Sequence, residues 1–173
     1  MVIKSIIYGG KQIAPRPAMY GREVAEAVFD EIKHELVENL ERYEPAHIDR
    51  CKKNFVDAAT RAGHDGYAVA RYLENFCNWR CNAQIVNVID NAPWEETYRF
   101  FVRQWLDYWK LEPLFKVGDS VIAKHGYQTI ESTVEEIGGK CHLPGTYTLH
   151  ETCEGGRLGR AVVNWEDCQA AAK

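Results

Sequence analysis

The spacing of apolar residues changes near Glu112 and Pro113, and this change constrains the fold more than any other feature of the chain. Upstream, apolar residues recur three and four positions apart over roughly ninety residues, the period of helices with one buried face. Downstream, a glycine-punctuated tract of strand formers begins with Phe115–Ile122, and its short alternating segments indicate strands. The sequence therefore predicts an α+β protein, with a helical domain over residues 1–112 and a β domain over residues 113–173.

Composition limits the classes of protein to consider. The chain has 173 residues, 46% of them apolar and 12% aromatic, which is enough for a hydrophobic core. Its net charge of −4 argues against a chain dedicated to holding nucleic-acid phosphates. The apolar run Met1–Tyr8 is too short for a signal peptide or a membrane span. We expect a cytoplasmic protein without a membrane segment, in which this run is a short strand and Gly9 to Pro17 an irregular lead-in to the helices.

Start and stop signals divide the helical part. The first helix is expected from Tyr20 or Gly21, the second from Pro45 to Gly63, a third capped by Asp65, and the last from Pro93. Apolar residues form one stripe along the first helix: Val24, Val28, Ile32, Leu36, Leu40 and Tyr43. Residues 84–89 are rich in β-branched side chains, so a short buried helix is favoured while a strand paired with residues 2–8 remains an alternative.

The outer face of the first helix is strongly acidic. From Tyr20 to Glu44 there are eight acidic residues against three basic ones. One interpretation is a solvated helix face, or a face paired with basic residues elsewhere in the chain. The functional interpretation is a negative surface that meets a basic partner. The residues predicted for that role are Glu26, Asp30, Glu38 and Glu41.

The middle section is mildly basic and supports an alternative prediction. Residues 46–82 contain six basic and four acidic residues. A nucleic-acid-associated factor could use these helices together with the β domain, although direct nucleic-acid binding is the less favoured hypothesis. The candidate residues are Arg50, Lys53, Arg61, Arg71 and Arg80.

Aromatic residues dominate the last helix. They fall four, three, four and three positions apart, which predicts one buried aromatic face: Trp94, Tyr98, Phe101, Trp105 and Tyr108. Trp109 lies beside this face, and the helix is apolar on more than one side. The surplus apolar surface should cover the β domain or a partner, so Trp109 is a further candidate for partner binding.

The chain contains six cysteines. Because no export signal is recognised and the core is large enough to be stable without disulfide bonds, we expect reduced thiols and no cofactor. The alternative is a zinc site or a Cys/His-dependent enzyme in the β domain, although the paired Cys-x-x-Cys knuckle is missing. The candidate residues for that alternative are Cys141, His150, Cys153 and Cys168, with His142 nearby.

Four segments of the β domain carry a resemblance to a known fold. They are Lys116–Val121 with its Val-Gly-Asp turn, Ser132–Gly138, Gly145–Leu149 and the closing Ala161–Asp167. This pattern resembles the SH3-like small barrels of the KOW and Tudor type. Strand formers between glycine turns predict about five short strands, near 120–124, 132–137, 146–151, 158–164 and the end of the chain. The resemblance implies that these strands form a five-stranded barrel. Such barrels bind nucleic acids, proteins or peptides, or brace a neighbouring domain.

These observations favour a non-enzymatic protein-binding module of unknown oligomeric state. The chain carries no phosphate-binding Gly-x-x-x-x-Gly-Lys-Ser/Thr sequence and no helical His-Glu-x-x-His. A helical bundle with an acidic face, joined to a small barrel, resembles in general style the phage or mobile-element proteins that inhibit a host nucleoprotein complex, anti-CRISPR proteins among them. The expected partner is therefore a protein or nucleoprotein complex, with the acidic helix replacing nucleic-acid phosphates.

Overall fold

A computed structural model of the chain describes residues 5–40, 48–138, 143–152 and 158–171. These residues form a mixed structure of helices and antiparallel strands, as the change of sequence period predicts. Some predicted features lie outside the described residues: Glu41, Tyr43, Pro45, Cys141, His142 and Cys153.

The elements follow one another in the order helices then strands, after a short N-terminal hairpin. The described helices are α1 (Arg22–Glu38), α2 (Ile48–Ala62), α3 (Gly66–Cys77), α4 (Ala83–Asp90) and α5 (Trp94–Trp109). The described strands are β1 (Ile6–Tyr8), β2 (Lys11–Ile13), β3 (Ser120–His125), β4 (Gln128–Ile137), β5 (Thr146–Thr152), β6 (Leu158–Asn164) and β7 (Cys168–Ala170).

Local capping residues set several helix ends. The Asp65 carboxylate accepts a hydrogen bond from the Ala68 N–H at 2.8 Å, which confirms the predicted cap of α3. Asn82 caps α4 in the same way, so residues 84–89 are helical and the strand alternative is wrong. The first helix ends at Glu38, earlier than the apolar stripe predicts. The Asn39 side chain donates to the Glu35 carbonyl oxygen at 2.7 Å and so satisfies one carbonyl of the last turn.

The N-terminal segment is a hairpin: the predicted strand is confirmed at Ile6–Tyr8, whereas the expectation of irregular chain directly after it is wrong, because Lys11–Ile13 is a second strand. Strands β1 and β2 pair antiparallel, with Tyr8 opposite Lys11. The two turn residues, Gly9 and Gly10, have φ of 55° and 77°. Two consecutive positive φ angles define the turn that matches the twist of a hairpin, and glycine adopts them without steric cost.

The five later strands form an open antiparallel sheet in the order β6-β5-β4-β3-β7. Strands β3 to β6 follow one another as a meander. A 3-10 turn, Trp165–Asp167, then returns the chain so that β7 pairs with β3. The predicted strands are therefore confirmed, but the closed barrel is not found in the part of the chain that the structure describes, since β6 and β7 are the edges of the sheet there.

The chain divides into two compact units, which differ from the predicted boundary at residues 112 and 113. One unit comprises Met1–Arg16 and Val102–Lys173, and the other comprises Pro17–Phe101. The reason is burial: Tyr8, Ile13 and Trp105 share one hydrophobic core with residues of the sheet such as Val121 and Tyr147. The hairpin and the second half of α5 therefore belong to the sheet unit.

The buried face of α5 also differs from the predicted aromatic face at its C-terminal end. Trp94, Tyr98 and Trp105 are buried as expected, whereas Tyr108 is 78% exposed. The face runs through Val102 and Trp105, and four residues further it reaches Trp109 rather than Tyr108.

A buried arginine joins separate segments of the sheet unit. The Arg16 guanidinium donates to both carboxylate oxygens of Glu166, at 2.6 and 2.9 Å, and their side chains are only 7% and 11% exposed. It also donates to the carbonyl oxygens of Pro144 and Gly145 and lies over the Trp105 ring. Arginine suits this position because its planar guanidinium group can donate hydrogen bonds to several acceptors at once.

Candidate protein-binding surface

Helix α1 presents an acidic surface because its apolar residues occupy one face. Val24, Val28, Ile32 and Leu36 are buried at helical spacing. The helix contains six acidic residues against two basic ones, a balance of −4, and these acids lie on its remaining faces. The predicted acidic surface is therefore present in the helical unit.

Part of this acidic surface is paired within the chain. Lys52 of α2 contacts the Asp30 carboxylate at 2.6 Å, and Arg22 lies 3.7 Å from Glu26 and 3.5 Å from Asp57. The alternative of internal pairing thus applies to Asp30 and Glu26. Exposed ion pairs of this kind contribute about 0–1 kcal/mol each, so a partner's cation can replace them at little cost.

Two acidic residues near the end of α1 have a distinctive environment. Glu35 and Glu38 are exposed in the last turn, which contains no basic residue. The carbonyl end of a helix carries partial negative charge, so carboxylates there destabilise the helix instead of supporting it. Glu38 is among the predicted residues, whereas Glu35 is not. The signal that could have identified Glu35 is the missing Lys or Arg in that turn.

Trp109 is a different kind of site from the acidic residues. It is half-buried, packs against the core of the sheet unit, and makes an edge-to-face contact with Tyr108 at 5.2 Å between ring centroids. The described acidic candidates belong to the helical unit, whereas Trp109 belongs to the sheet unit.

The basic candidates are exposed but not grouped on one element. Arg50 and Lys53 lie on α2, and Arg71 lies on α3, 3.9 Å from Glu74. The Arg61 guanidinium lies over the Tyr72 ring at 5.7 Å. Arg80 lies in the loop before α4 and makes interactions of its own.

The described cysteines lie in surroundings that favour the thiol over the thiolate. Burial raises the pKa of Cys51 and Cys77, and it raises that of Cys81 and Cys168 to about 12, with smaller contributions from nearby carboxylates. An activated cysteine has a lowered pKa, so this environment is the opposite of the one that nucleophilic catalysis requires. His150 is exposed, and within the described residues no three metal-ligating side chains come together.

Comparison of the chain with protein-family models, with curated proteins and with solved structures finds no match. Among the described helices, none combines the length and apolar character needed to cross a bilayer.

Proposed function

We propose that this protein is a non-enzymatic binding protein whose α1 acidic surface engages a basic surface on a protein partner. The observation that carries the proposal is the exposed pair Glu35 and Glu38 at the negative end of α1. This arrangement costs helix stability on its own, and cationic side chains from a partner would neutralise both the carboxylates and the helix end.

The partner's chemistry follows from the charge. Lysine and arginine side chains of a protein surface that otherwise holds nucleic-acid phosphates would meet Glu35 and Glu38, and they would displace the weak internal pairs of Asp30 and Glu26. Such a protein acts as an inhibitor of a nucleoprotein complex, in the general style of anti-CRISPR proteins. Net negative charge on the approaching face also speeds association with a basic target.

We also propose that the sheet unit is an SH3-like small barrel. The support is its strand order, in which a four-strand meander is followed by a 3-10 turn and a last strand that pairs with the first of the meander. This is an argument about fold, and it assigns no target to the unit.

Charge reversal at the end of α1 tests the proposal. The partner is captured from lysate by cross-linking, identified by mass and purified, and its affinity is measured for the wild type and for the double variant Glu35→Lys, Glu38→Lys. The matched control reverses Glu131 and Glu136, two exposed acids of β4. We expect the α1 variant to lose at least about tenfold in affinity, chiefly at low salt, while the control retains it.

Stability measurements separate binding from folding. The α1 variant should have an unchanged or higher melting temperature, because lysine is favourable at a helix C-terminus. Equal affinity of wild type and α1 variant would refute the proposal. Salt-sensitive binding of RNA or DNA that is lost on replacing Arg50 and Lys53 with Gln would instead favour the nucleic-acid alternative.

A further inference from the structure

Helices α3 and α4 make a close contact at one end and leave a groove beside it. A Cβ atom at Gly66 would lie 2.5 Å from the Val86 carbonyl oxygen, and the Gly66 N–H donates to the Asp90 carboxylate at 2.6 Å. Further along, the groove has a volume of about 390 Å³, within the range of small-molecule sites. The small side chains of Ala70 and Ala83 keep it open.

The lining of the groove combines apolar surface with a few polar groups. Tyr67 lies at the edge of the groove and is 66% exposed. Covering an aromatic ring that lies beside apolar surface is energetically favourable, so this ring is a natural contact for a ligand. Arg71 and Glu74 also line it, 3.9 Å apart, so the charge at the groove is balanced and favours an uncharged ring. Asn87 presents an exposed side-chain amide, which offers a donor and an acceptor side by side.

We propose that this groove binds a purine ring of the adenine type. The ring stacks on the Tyr67 phenol, and the Asn87 amide pairs with its amino group and the adjacent ring nitrogen, the geometry by which asparagine recognises adenine. Ala70 and Val86 provide the apolar surface beneath it. The site is separate from the acidic surface of α1, and the purine can come from a nucleoside or from a base in a single strand.

Titration with adenosine tests the assignment, with binding followed by calorimetry and by amide shifts in nitrogen-15 NMR spectra. We expect shifts at Tyr67, Arg71, Val86 and Asn87, and weaker binding of 7-deazaadenosine, which lacks the acceptor nitrogen. Tyr67→Ala should weaken adenosine binding about 5- to 150-fold, the range for loss of one stacking contact, whereas Tyr67→Phe should retain it.

Two more variants keep the test decisive. Ala70→Leu fills the groove and should abolish binding, while Tyr127→Ala, at a fully exposed tyrosine of the sheet unit, should leave it unchanged. Binding of an oligoadenylate strand alone, lost in the Tyr67→Ala and Ala70→Leu variants, would support the same site with a strand as the source. Absence of binding by folded wild type to both probes, or amide shifts confined to residues outside the groove, would overturn the proposal.

Discussion

Thr146 and Thr148 lie two residues apart on β5, and their hydroxyl groups predict opposite effects of the same substitution. Both residues are almost fully buried, at 2% and 3% exposed. The Thr146 hydroxyl donates to the Leu143 carbonyl oxygen at 2.6 Å. Within the described part of the chain, the buried Oγ1 of Thr148 has no hydrogen-bond partner. Replacing each with valine exchanges the hydroxyl for a methyl group and keeps the branched shape that a strand favours.

The expected magnitudes follow from hydrogen-bond energetics. A buried polar group left unpaired costs about 1–3 kcal/mol, so Thr148→Val should raise the free energy of unfolding by about that amount. Thr146→Val loses a satisfied hydrogen bond and should lower it by about 0.5–1.5 kcal/mol, leaving the Leu143 carbonyl unpaired. In a chain of this size each kcal/mol corresponds to about 2–4 °C in melting temperature.

Urea unfolding followed by tryptophan fluorescence measures both variants. Trp165 is a suitable reporter because its indole N–H donates to the Thr146 carbonyl oxygen at 3.0 Å. A rise for Thr148→Val and a fall for Thr146→Val are expected. Equal changes of the same sign would refute the reasoning, since they would show that packing or strand propensity, not hydrogen bonding, controls the effect.

Three further predictions concern other buried groups. Arg16→Met leaves the Glu166 carboxylate buried without its cation and should destabilise the sheet unit by about 3–5 kcal/mol in urea titration; retained stability would contradict the role of this pair. Gly66→Ala drives a methyl group into the Val86 carbonyl and should cost about 1–3 kcal/mol in thermal unfolding followed by circular dichroism, whereas a neutral effect would show that the contact is not tight. Burial, and to a smaller extent the nearby carboxylates, raises the pKa of Cys168 from 9.0 to about 12. The contribution of this thiol to stability is therefore complete below pH 9 and is lost as the pH rises towards 12. Between these pH values the melting temperature of Cys168→Ala should fall less steeply than that of the wild type, and identical slopes for the two proteins would disprove this.

Much of the local structure could be predicted from the sequence. The caps at Asp65 and the glycine after α2 act within one helical turn, so their effects do not depend on the rest of the fold. The strand positions of the sheet follow from alternation and glycine turns in the same local way. The acidic face of α1 could be predicted too, because the apolar stripe decides which residues remain outside.

The candidate site was only partly predictable. Helical spacing places Asp30 on the outer face but does not reveal that Lys52, more than twenty residues later, lies 2.6 Å away. The groove between α3 and α4 depends on how closely two helices approach at Gly66, which no single helix encodes. Ion pairs and grooves arise from residues that are distant along the chain, so a periodicity argument cannot locate them.

The sequence by itself determined the kind of element at most positions, because period, caps and turn residues act through short-range backbone hydrogen bonds. Tertiary structure alone decided that the N-terminal hairpin and the second half of α5 belong with the sheet. Tyr8 and Ile13 are buried in one core with Trp105 and with sheet residues more than a hundred positions later in the chain. It also decided which acidic side chains of α1 are paired within the chain. Burial and charge pairing depend on the whole fold, whereas helix and strand formation depend largely on neighbours in sequence.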